Sequence, residues 1–156
     1  MHRVRNRRVS AIVLALVISG CAGNKQPETA VAHYGNTVLE TATALQKGIT
    51  AATDAKTLPV DIAQKLTSYS EQIYQKSGPL GDALRAYHTA TTLDLRKLKA
   101  AEVQALINDV NSPLSKILQE AIPQPALQQI TTLVANVMAS VAAVQAEVAK
   151  AMGGQS

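Results

Sequence analysis

From Pro27 onward the chain repeats apolar residues every three or four positions, the periodicity of amphipathic helices. Val31, Gly35, Val38, Ala42, Leu45, Ile49 and Ala52 form a first stripe. Pro27 and Glu28 suit its start, and Lys56-Thr57-Leu58-Pro59 closes it. Ile62, Leu66, Tyr69 and Ile73 form a second stripe, whose end is predicted at Lys76-Ser77-Gly78-Pro79. A third runs through Leu80, Leu84, Tyr87, Thr91, Leu95 and Leu98, slips phase, and resumes at Val103, Leu106 and Val110, which predicts a kink or loop near residues 91–101. Asn111-Ser112-Pro113 predicts a restart, with a serine cap and a short segment to Ile122, before Pro123-Gln124-Pro125 stops the chain again. The most regular stripe is the last: Leu127, Ile130, Val134, Val137, Val141, Val144 and Val148, closed by Gly153-Gly154. As a helix, residues Ala126 to Met152 would span about 40 Å. No period-two run of useful length appears. The expected fold is all-α, an antiparallel helical bundle of about four helices over residues 28–152, with residues 153–156 as a tail.

Between Glu120 and Glu147 there is no charged residue. A membrane span is the wrong reading of this stretch, because Gln124, Gln128, Gln129, Thr131, Thr132, Asn136, Ser140 and Gln145 are spread through it. Its apolar positions make a seam, which predicts a central bundle helix; the competing expectation is a seam exposed for a partner helix.

Composition narrows the function. A chain of 156 residues that is 47% hydrophobic makes one domain with a buried core. Its only aromatic residues are Tyr34, Tyr69, Tyr74 and Tyr87, too few to wall a deep ligand pocket or stack nucleotides. The formal charge of +4 suggests nucleic acid until it is located: Arg3, Arg5, Arg7 and Arg8 supply it, and the bases and acids of residues 21–156 balance. No nucleic-acid partner is expected.

Those arginines precede an unbroken apolar run, Ala11 to Ile18, and then Ser19, Gly20 and Cys21. This is the plan of a secretory signal peptide, and from Val9 to Gly20 it is too short for the ~20 residues of a membrane span. Val17-Ile18-Ser19-Gly20-Cys21 further resembles the lipobox of bacterial lipoproteins. The resemblance covers roughly the first 22 residues. It implies that signal peptidase II cuts between Gly20 and Cys21, removing residues 1–20, and that Cys21 carries the acyl chains that hold the protein to membrane lipid. Residues 21–27 are then the lipidated tether. Ala22, where many Gram-negative lipoproteins retained in the inner membrane have aspartate, implies the outer membrane, facing the periplasm. Cys21 is the only cysteine, so a disulfide within the chain is excluded, and a lone thiol makes a poor metal site.

No catalytic constellation, metal site or cofactor motif is legible. His33 and His88 read as surface residues. Each adjoins a tyrosine, Tyr34 and Tyr87, so the two pairs are candidates to meet where the first and third helical patterns pack. Glu28, Asp61, Asp82 and Asp94 fall near helix starts, where the helix dipole accounts for them. Arg96-Lys97-Lys99 is the one basic cluster after the leader, a solvated helix face or a contact for lipid headgroups. The expectation is a non-enzymatic, membrane-anchored envelope lipoprotein with a structural or protein-interaction role and an unspecified envelope protein partner. The second reading is a phage- or plasmid-type exclusion lipoprotein that blocks entry or superinfection.

Overall fold

The computed structural model describes residues 27–153. The expected signal peptide, Gly20, Cys21, the expected tether before Pro27 and the expected tail beyond Gly153 lie outside the described residues. Four helices account for nearly all of what is described: α1 (Pro27–Asp54), α2 (Val60–Thr89), α3 (Leu93–Gln119) and α4 (Ala126–Gly153). Among the described residues there is no strand.

Cross-helix pairs establish the topology. Gly35 faces Gly81, and Gln46 Nε2 donates to Glu71 Oε2 at 2.7 Å, so α2 runs antiparallel to α1. Lys76 pairs with Asp109 at 3.1 Å and Lys65 with Glu120 at 3.2 Å, so α3 reverses α2. Thr41 Oγ1 lies 3.4 Å from Ser140 Oγ, and Gly48 abuts Leu133, which sets α4 antiparallel to α1. Each helix packs on the next and α4 returns to α1, closing an up-down-up-down bundle.

Two stripes fall as their periodicity predicts. Val38, Ala42, Leu45, Ile49 and Ala52 of α1 are buried, as are Ile130, Val134, Val137, Val141, Val144 and Val148 of α4. The seam of the stretch without charge is therefore core. By length and hydropathy α4 is the one described helix apolar enough to cross a membrane, but its valine seam faces its neighbours and Gln128, Gln129, Thr132, Asn136 and Gln145 face outward.

Three expected boundaries are corrected. The first is the stop at Gly78-Pro79, through which α2 continues. Proline inside a helix costs about 3 kcal/mol by removing an N–H and crowding the carbonyl four residues back. Here that carbonyl belongs to Gln75, which is exposed to water, while Ile73, Ser77, Leu80, Leu84 and Tyr87 stay in phase across the proline and are all buried. Burying each large apolar side chain contributes about 1.5–3 kcal/mol, so the in-phase stripe outweighs the break. Ser77 disguised that stripe as a polar stop. It is fully buried, and its hydroxyl donates to the Ile73 carbonyl at 2.7 Å.

The second is the restart at Ser112-Pro113. α3 passes through Pro113 with Val110, Pro113, Leu114 and Ile117 buried, and ends at Gln119, short of Ile122. The third is the run of the third stripe, whose expected kink or loop falls at the start of its span and divides the stripe between two helices. The chain breaks at Ala90–Thr92, where Thr92 Oγ1 caps α3 by accepting from the Leu95 N–H at 3.3 Å. Leu95 and Leu98 are exposed, and the core face of α3 is instead Ala100, Val103, Ile107, Val110, Leu114 and Ile117.

α1 ends in a Schellman turn: Lys56 N–H donates to Thr53 O at 2.9 Å and Thr57 N–H to Ala52 O at 3.0 Å. Lys56 occupies the left-handed position usual for glycine, with φ 55°.

Candidate functional site

The antiparallel order gathers the start of α1, the end of α2, the start of α3 and the end of α4 at one end of the bundle. At this end polar side chains of α2, α3 and α4 act on one another. Tyr87, in the last turn of α2, is fully buried, and its hydroxyl has no hydrogen-bond partner. His88 beside it is half-buried, with Nε2 enclosed and also unpartnered. The two rings meet edge to face, 5.3 Å between centroids.

Two charges act on this pair. Burial raises the Tyr87 hydroxyl above its ordinary pKa, with Arg96 opposing and Glu147 reinforcing the shift. Burial lowers His88, partly offset by the Glu147 carboxylate and reinforced by Arg96. Arg96 Nη2 also donates to the Ala90 carbonyl at 3.1 Å, satisfying a group that the end of α2 leaves without an intrahelical donor. Arg96 thus ties the α2–α3 connection in place, with Glu147 of α4 near enough for its charge to be felt.

The basic cluster is divided by the fold. Arg96 is half-buried at the Ala90 carbonyl, Lys99 pairs with Glu102 at 2.9 Å, and Lys97 is exposed. Around them Leu93, Leu95 and Leu98 are 50%, 41% and 57% exposed. Three exposed leucines within six residues are the densest apolar exposure among the described residues.

His33 is exposed on α1 as expected, whereas His88 is half-buried and lies on α2 rather than on a third helix. Each histidine packs with its own tyrosine, His33 with Tyr34 at 6.1 Å, and no ring contact between the two pairs occurs among the described residues. The influence of Arg96 and Glu147 on His88 and Tyr87 escaped the sequence because it joins three helices. Its one faint signal is that Glu147 is the first charge after a long neutral stretch.

At the opposite end, beside the α1–α2 turn, lies an open groove of about 770 Å³ lined by Lys56, Leu58, Pro59, Ala63, Thr67 and Glu71. Among the described residues no group of three His, Cys, Asp or Glu side chains converges as a metal site would require. Comparison of the chain with known protein families, with curated proteins and with solved structures gives no match.

Proposed function

We propose that this chain is a bacterial envelope lipoprotein, anchored to membrane lipid by acyl chains on Cys21, with a structural or protein-interaction role and no catalytic one. The observation that carries the reading is the N-terminal order of four arginines, an apolar run too short to span a bilayer, two small residues and the chain's single cysteine. Each buried acyl methylene contributes about 0.8 kcal/mol, so two or three long chains hold a protein to a bilayer without help from the polypeptide. The bundle suits such an anchor. Only five residues separate Cys21 from the start of α1 at Pro27, a reach of at most about 20 Å, so the domain would stand close to the lipid surface. Ala22 after the cysteine favours the periplasmic face of an outer membrane.

Growth with a labelled fatty acid tests the assignment. The wild-type protein should be labelled and processed by signal peptidase II, and Cys21→Ser should be neither; equal labelling of the two overturns it.

A further inference from the structure

We propose that the first two turns of α3 are a membrane-contact edge, with Leu93, Leu95 and Leu98 entering the interfacial layer of an anionic phospholipid bilayer and Lys97 facing lipid phosphates. The proposal rests on anchoring through Cys21, which decides which end of the bundle faces the bilayer.

Place, shape and charge select this occupant. α3 begins at the end of the bundle where α1 begins, and α1 begins six residues after the anchoring cysteine. The tether therefore holds the start of α1 within about 20 Å of the lipid, and the exposed leucines lie at that same end of the bundle. At 100° per residue, Leu95 and Leu98 lie 60° apart on the helix, while Leu93 lies well over a right angle from both. A partner helix lying alongside α3 would meet a single stripe, whereas a planar surface meeting the helix end-on touches it all round. Leu93 to Leu98 occupy about 7.5 Å along the axis, matching the ~5–10 Å depth of the headgroup and acyl boundary.

Arg96, Lys97 and Lys99 outnumber the acids of the same stretch, Asp94 and Glu102; Lys99 is paired with Glu102 and Arg96 is held at the Ala90 carbonyl, while Lys97 has no ion-pair partner among the described residues. Basic residues among exposed leucines suit an anionic surface, where electrostatic attraction adds to apolar burial. Among the described residues no contact of α3 uses Leu98 to close the core; its core face begins at Ala100.

The test uses the mature acylated protein on vesicles of phosphatidylglycerol and phosphatidylethanolamine. A fluorophore is placed through Thr91→Cys in the α2–α3 connection or, as the far-end reference, through Leu118→Cys, the Cys21 thiol being blocked by its lipid. Spin-labelled lipid should quench the Thr91→Cys probe several-fold more than the Leu118→Cys probe. Replacing Leu93, Leu95 and Leu98 together by serine should bring the two to the same level while the helical circular dichroism persists. Lys97→Glu should weaken the quenching on these vesicles and leave it unchanged on phosphatidylcholine. A protein that stays on the vesicles with equal quenching at both ends overturns the contact edge and leaves the anchor standing. So does efficient cross-linking of Leu98→Cys between copies without quenching, which would assign the leucines to a second copy. A protein that does not associate with the vesicles overturns the anchor and the edge together.

Discussion

Gly35 of α1 and Gly81 of α2 meet backbone to backbone: a Cβ on Gly35 would stand 3.0 Å from the Gly81 Cα, whereas a Cβ on Gly81 would stand 3.5 Å from the Gly35 Cα. The contact is asymmetric, so the two alanine substitutions should differ in sign. Alanine in a helix interior is favoured over glycine by about 0.5–1 kcal/mol, and at Gly81 nothing opposes that gain. At Gly35 the new methyl meets backbone, which yields only if the helices part, at a cost of about 1–3 kcal/mol. Urea denaturation should place Gly81→Ala above the wild type and Gly35→Ala below it. A Gly35→Ala protein more stable than the wild type would show that the contact is slack.

Tyr87 carries a buried hydroxyl without a partner, a desolvation cost with no hydrogen bond to offset it. Tyr87→Phe should raise stability by roughly 1 kcal/mol, because it deletes the unsatisfied group and keeps the ring. Thermal unfolding followed by circular dichroism checks this; a drop in the midpoint would mean that the hydroxyl is satisfied in solution.

His88 should make stability fall in mild acid. Its folded pKa lies below the ordinary 6.5, so between the two values the unfolded chain binds the extra proton. The contribution is intact above about pH 6.5 and is lost as pH falls through the depressed folded value. Arg96 reinforces the trend and Glu147 opposes it. Urea midpoints between pH 7.5 and 5.5 should decline in the wild type and much less in His88→Gln, whereas Glu147→Gln should steepen the decline. Parallel profiles for His88→Gln and the wild type would remove His88 as the cause.

Val137 sits fully buried at the middle of the α4 seam. Val137→Asp should abolish cooperative unfolding, since an unpaired buried charge costs several kcal/mol, comparable with the stability of a small domain. In the wild type, amides from Ile130 to Val144 should be among the slowest to exchange, opening only with global unfolding. Rapid exchange there would place the seam outside the stable core.

The sequence by itself determined the fold class, because helical periodicity in α1 and α4 has one burial solution: Val38 to Ala52 and Ile130 to Val148 can leave water only by facing other helices. It also determined the lipobox resemblance, which is a matter of local order around Cys21 and needs no tertiary contact. Where local rules and burial disagreed, the packing of the four helices settled the outcome. Pro79 and Pro113 read as breaks because proline removes one hydrogen bond wherever it stands; whether several in-phase side chains outweigh that loss depends on a neighbouring helix being there to cover them. Leu95 and Leu98 read as core because their spacing is that of buried leucines, yet the break at Ala90–Thr92 rotates α3 so that Val103 and Ile107 take the inner face. The set of Tyr87, His88, Arg96 and Glu147 is drawn from three helices, and no spacing along the chain encodes it. Periodicity says which residues on one helix share a face, but which faces of different helices meet, and which apolar residues are left outside, is set by how the four helices turn and pack.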